Sequence, residues 1–367
     1  MSRLSLNYTG IGSIPFADDN APSKAVDFVF ENFKEIPFWP QLPHFAREED
    51  MVLQFSEAMA GLTIQDGKIF FDTDSETFYE KLEELFFDFE EIMASDNLLD
   101  VEEQLDKYKI QAPYSNAIGL FLNKLKDFDT PYVKGSITGA FTFSTSVNDN
   151  QGKSAFYDET LREVIVKTLI LKALWQIKEF NKISPNATPI IFMDEPSVSQ
   201  IGSCAFLTVK NEEVVEMLAT ISNAIKKFNA ISGIHCCGKT DWEIAMNADV
   251  NVINFDAYSY MQSVSLFAPR VKKYIEDGNY LAFGIVPTLD ADALNKLDIE
   301  NLKLTFENAV EFLVKKGISK DLILKQSFVT PSCGCGSLTI DEAIKALSLT
   351  RDLSVSLRGV LWPILLQ

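Results

Sequence analysis

The sequence predicts an α/β chain that closes into a (β/α)8 TIM barrel, with a helical insertion after the second strand. Three observations lead there. From the middle of the chain onward, short β-branched or apolar runs end in small or polar residues, and each is followed by a longer segment with helical spacing of its apolar positions. Eight such runs can be placed, and eight strand-helix units close most simply into a barrel. The ends of the runs are unusually polar, and the carboxyl ends of parallel strands are where a barrel gathers its chemistry.

The expected strands span 9–15, 36–42, 132–143, 189–195, 232–237, 251–256, 280–287 and 327–333. Pro37 and Pro40 interrupt the second, and proline cannot donate a ladder hydrogen bond. Residues 61–129 exceed one crossover: a hairpin around Gly67 precedes acidic, Phe-rich helices near 75–94 and 101–108. Later crossovers are expected as helices over 211–229, 261–276, 298–316 and 341–351, long enough to join parallel strands. No tandem repeat or flexible linker divides the chain, so residues 1–367 read as one domain carrying the insertion 61–129.

Composition narrows the function. The 52 Asp and Glu outnumber 33 Lys and Arg, and the resulting charge of −19 repels both a phosphate backbone and an anionic membrane, so neither is an expected partner. Residues 1–9 lack the pattern of a signal peptide, and no apolar run reaches the roughly 18 residues of a membrane span. The expected compartment is the cytoplasm.

Five cysteines and two histidines limit the chemistry further. Four of the cysteines form two tight pairs, Cys236 with Cys237 and Cys333 with Cys335, which in a reducing compartment suggest metal or catalysis more than disulfides. In Gly233-Ile-His-Cys-Cys-Gly238, side chains two apart share a strand face, so His235 and Cys237 face one point and Cys236 points into packing. Imidazole and thiolate are preferred zinc ligands, and Cys333 at the end of the eighth strand supplies a third. Three protein ligands with an open position define a catalytic zinc site. Cys335 shares a face with Cys333 if the strand continues, as a fourth or alternate ligand, although Gly334 and Gly336 suggest that it has ended. Cys204 suits a core or loop role, and His44, after Pro43, a cap or surface role.

Two other strand ends carry binding groups. Asp194 and Glu195 follow an apolar run and precede Pro196, which blocks further pairing, so both carboxylates suit a loop at the barrel mouth and a cationic substrate group; for Glu195 a helix cap fits nearly as well. The loop Thr9-Gly-Ile-Gly-Ser13 offers backbone N–H groups in a tight turn, a cradle for a carboxylate.

The motifs Ile11-Gly-Ser-Ile-Pro15, Ile137-Thr-Gly-Ala140, Asp194-Glu-Pro196, His235-Cys-Cys237 and Thr330-Pro-Ser-Cys-Gly334 give the chain its resemblance. It resembles the superfamily of cobalamin-independent methionine synthase and uroporphyrinogen decarboxylase, which also holds corrinoid-dependent thiol methyltransferases. The resemblance implies zinc on His235, Cys237 and Cys333, with Asp256 in the place of a completing carboxylate. It implies that Ile11, Gly12 and Ser13 bind a substrate carboxylate and that Asp194 meets its amino group, with Gln41 near another substrate-binding position. Met1 just ahead of the first catalytic-barrel strand implies a core-only form without a second barrel. The decarboxylase branch, with its arginine-rich N-terminal motif, is set aside because no arginine lies between Arg3 and Arg47.

The expected activity is zinc-dependent transfer of a methyl group to a small-molecule thiol, homocysteine giving methionine. The region around Gly284-Ile-Val-Pro287 lacks the histidine that the family's folate-dependent members use as proton donor. The expected donor is therefore methylcobalamin or another methyl-corrinoid, carried by a partner corrinoid protein. Coenzyme M as acceptor, and a zinc-bearing scaffold without catalysis, are the alternatives.

Overall fold

The computed structural model of the protein describes residues 4–65 and 67–365; residues 1–3, 66 and 366–367 of the expected span lie outside the described residues. The strands are β1 (Leu62–Gln65), β2 (Lys68–Phe71), β3 (Tyr132–Thr138), β4 (Asn148–Asp149), β5 (Thr188–Asp194), β6 (Ile231–Cys236), β7 (Val252–Asp256), β8 (Tyr280–Val286) and β9 (Ser327–Pro331). β3 and β5 to β9 form one parallel sheet in the order β3-β5-β6-β7-β8-β9. Nearly every residue of these strands is buried, as a parallel sheet covered by helices requires.

Among the described residues, the eight regular strands of a closed barrel are not all present. The two edges of the six-stranded sheet are joined by extended segments at the first two expected strands, held by isolated bridges: Tyr8 to Val329 on β9, Ser13 to Gln41, and Phe38 to Lys134 on β3. Pro37 and Pro40 explain part of this, because each removes one donor from the segment that would have been the second strand. The segments nonetheless complete a ring of backbone contacts. Thr9 N donates to Val329 O at 3.2 Å, Ile14 N to Gln41 O at 2.9 Å and Lys134 N to Pro37 O at 2.8 Å. Leu4, Ile36, Ile190, Phe192, Val252, Ala282 and Phe328 pack as one separate apolar cluster, with members from four strands of the sheet.

The third expected strand is shorter than 132–143. It stops at Thr138, and Ala140–Ser146 is a helix. The reason is distant in sequence: the Glu195 carboxylate accepts from Phe141 N at 3.0 Å, Thr142 N at 2.8 Å and Thr142 Oγ1 at 2.6 Å, satisfying the first turn of that helix.

The segment 61–129 contains the antiparallel β1/β2 hairpin, with Gly67 at φ +75°, and the helices Phe78–Ala94, Glu102–Leu105 and Ile118–Leu125. These pack on the long helix Glu159–Ile183, and one apolar cluster runs through both. The expected crossovers appear as Asn211–Lys227, the pair Ala257–Ser265 and Ala268–Glu276, Ile299–Val314 and Ile340–Leu365. Among the described residues, no helix is long and apolar enough to cross a membrane.

Candidate metal centre and adjoining cavity

Strand register builds the site. Asp194 on β5 stands opposite His235 on β6, which stands opposite Asn254 on β7. Cys237 follows β6, and Cys333 follows β9 in a turn fixed by Thr288, whose Oγ1 accepts from Cys333 N at 3.0 Å and donates to Cys333 O at 3.1 Å. The ligand atoms of His235, Cys237 and Cys333 all lie within 4.8 Å of one another.

The electrostatics suit a cation. His235 Nε2 is buried without a hydrogen-bond partner, while Nδ1 lies 2.5 Å from Asn254 Oδ1. The Cys237 thiol is held well below the usual range by a hydrogen bond from Cys333 and by His235, against its burial. The same bond and burial push Cys333 up. Burial opposes charge on His235, but the neighbouring Cys237 and Asp194 outweigh it and its pKa is raised. A buried imidazole nitrogen without a partner beside two cysteine sulfurs is a donor set that zinc takes. The residues present therefore fit that metal.

These groups open into a cavity of about 400 Å³ lined also by Ile11, Ser13, Gln41 and Asp194. Asp194 is 8% exposed, its Oδ1 has no partner, and burial raises its pKa. Gly12 lies against Gln41: a Cβ there would stand 2.3 Å from Gln41 Oε1. Gln41 Nε2 donates to Gln54 Oε1 at 2.7 Å. The loop carrying Ile11 is tied from below by the buried Lys134, whose Nζ donates to Ile11 O at 2.5 Å.

Four expected site residues are in neither the cavity lining nor the ligand group: Gly12 is covered by Gln41, and three more are placed elsewhere. Glu195 is fully buried in the helix contacts described above and does not line the cavity; burial pushes its carboxyl up to about 7, and the bonds from Thr142 and Phe141 oppose that push. Cys335 is buried in the apolar core, where its thiol is pushed up to about 12, and it is not in the ligand group. The cause is local, since β9 has ended at Pro331 and Cys335 N donates to Ser13 O at 3.0 Å, so strand alternation no longer sets its direction. Asp256 is likewise outside the group: its carboxylate accepts from Ser259 N at 2.7 Å and caps the helix Ala257–Ser265.

Sequence reasoning also missed residues that the fold brings in. His44 lines the cavity with Nε2 2.7 Å from Gly336 O; a carbonyl only accepts, so that nitrogen carries hydrogen. Glu49 lines it too, and its carboxylate accepts from Leu42 N at 2.7 Å and Asn116 N at 2.8 Å. His44 lies in a turn and Glu49 in the 3-10 segment Arg47–Glu49, and neither carries a periodic signal. Among the described residues, no Lys or Arg lines the cavity. A second carboxylate group, Glu102, Asp106 and Glu179, is occupied by Lys178 Nζ, 2.5 Å from Asp106 and 2.8 Å from Glu179.

No protein-family model matches the chain, and no curated protein matches it. Among solved structures, the chain is similar to a B12-independent methionine synthase from Shewanella sp. W3-18-1, determined with selenomethionine. The match has a TM-score of 0.46 and 16% identity, over 66% of this chain and 68% of that one.

Proposed function

We propose that the chain is a zinc-dependent methyltransferase whose acceptor is a thiol, with homocysteine as the substrate. The observation that carries this reading is a buried His235 with an unpartnered Nε2, whose ring offers a ligand atom within 4.8 Å of two cysteine sulfurs, in a cavity that also holds an unpartnered carboxylate oxygen of Asp194. His235, Cys237 and Cys333 would hold the metal. With Cys335 buried in the core and Asp256 engaged in capping its own helix, the set has three protein ligands, the count of catalytic rather than closed structural sites. Zinc bound there would lower the pKa of a thiol that joins it, so that a thiolate is available at neutral pH.

The chain's own groups orient the acceptor. Asp194 Oδ1 would receive the ammonium of an amino acid, and Ile11 and Ser13, which line the same cavity, would meet its carboxylate. The acidic lining, Asp194, Glu49 and Asp50 without a lysine or arginine, favours a zwitterion over an anionic thiol such as coenzyme M. We take the donor to be a methyl-corrinoid presented by a partner protein, because Gly284-Ile-Val-Pro287 brings no histidine to protonate a departing folate.

The test is methylcobalamin-dependent conversion of homocysteine to methionine by zinc-loaded protein, with coenzyme M in parallel. Turnover of homocysteine alone supports the full reading. Turnover of coenzyme M in its place would overturn the acceptor, and zinc-loaded protein that turns over neither would favour a scaffold role.

A further inference from the structure

We propose that Asn254 is a positioning residue: by accepting from His235 Nδ1–H it fixes the imidazole tautomer and leaves the Nε2 lone pair for the metal. This rests on the zinc reading above. Asn254 is fully buried and in register with His235 on the adjacent strand. Its amide nitrogen donates to Ala282 O at 2.9 Å on β8 and reaches Thr330 Oγ1 at 2.7 Å on β9. The Ala282 carbonyl can only accept, so the amide NH2 must face β8 and β9 and the amide oxygen must face His235. An amide oxygen can only accept as well. Nδ1 at 2.5 Å therefore carries the hydrogen, and Nε2, which has no partner, is the free nitrogen.

The arrangement spans four consecutive strands, β6 to β9, so the orientation of one ligand is set by the sheet and not by a mobile loop. A partner of this kind fixes ring orientation and raises ligand basicity, and its loss costs about 10–100-fold in metal affinity. Asp256, two residues on, is committed to its own helix, so Asn254 is the residue of β7 that serves the centre.

The experiment measures zinc affinity by competition with a chromophoric chelator, and the bonded nitrogen by 15N NMR of histidine-labelled, zinc-loaded protein, in which only two imidazoles contribute. Wild type is expected to show His235 Nδ1 protonated and Nε2 bound. Asn254→Leu, which removes the acceptor at similar volume, should bind zinc about 10–100-fold more weakly, and Asn254→Asp, which keeps an acceptor, should stay nearer wild type. Wild-type protein bound through Nδ1 overturns the inference without any variant, even if Asn254→Leu does not fold. Equal affinity in wild type and Asn254→Leu, with the same nitrogen bound, also overturns it and leaves the zinc reading standing; absence of zinc binding by wild type is the separate failure of that reading.

Discussion

Asp194 and Glu195 are consecutive, yet one side chain lines the cavity beside His235 and the other is buried among the backbone amides of Ala140–Ser146. Gly139 records how closely the second fits, since a Cβ there would come within 2.1 Å of the Glu195 carboxyl. Their substitutions should separate accordingly. Asp194→Asn should keep its zinc and its melting temperature while weakening homocysteine binding by titration calorimetry. Loss of one charge-assisted contact is worth about 1.5–3 kcal/mol, or roughly 10–100-fold. An unchanged affinity would remove Asp194 from the binding surface.

Glu195→Ala should show the opposite pattern. It leaves the donors of Phe141 and Thr142 buried without an acceptor, at a cost of about 1–3 kcal/mol for each unsatisfied group. Thermal unfolding should register that loss while zinc stoichiometry stays at the wild-type value.

How much of this was legible beforehand differs between the elements. The six ladder strands were legible because each is a short run rich in apolar and β-branched residues, buried on both faces. His235 and Cys237 were legible because alternation within a strand fixes a shared face. Cys335 was misread by the same rule, applied past Pro331, where the strand has ended. The helix at 140–146 was hidden because its capping carboxylate comes from residue 195, just past the end of the next strand of the sheet. Asn254 reads as one polar residue in an apolar strand, and only its register opposite His235 gives it a role.

Asp256→Asn and Cys335→Ser distinguish the observed site from the larger ligand set that the sequence suggests. Both should retain wild-type zinc content by elemental analysis. Cys335→Ser places a hydroxyl in the apolar core and should lower stability by about 1–3 kcal/mol. Loss of zinc from either folded variant would restore a fourth ligand.

A pH effect follows from Lys172, which is fully buried, has no hydrogen-bond partner for Nζ, and is lowered by burial from 10.5 to about 8. Between those values the unfolded chain binds the proton and the folded chain does not, so stability rises with pH across that window and the full cost is present below it. Lys172→Met should therefore stabilise the protein by about 1–4 kcal/mol at pH 7, and its advantage over wild type should fade as pH approaches 10.5. Melting curves of the two proteins at a series of pH values test this. An advantage that grows with pH would contradict it.

The most direct measurement is an anaerobic zinc titration of the reduced protein, repeated on Cys237→Ser and Cys333→Ser. The account predicts one tightly bound zinc per chain in the wild type and its loss in each variant. No tight binding by the wild type, or stoichiometric zinc that survives Cys333→Ser, would contradict it.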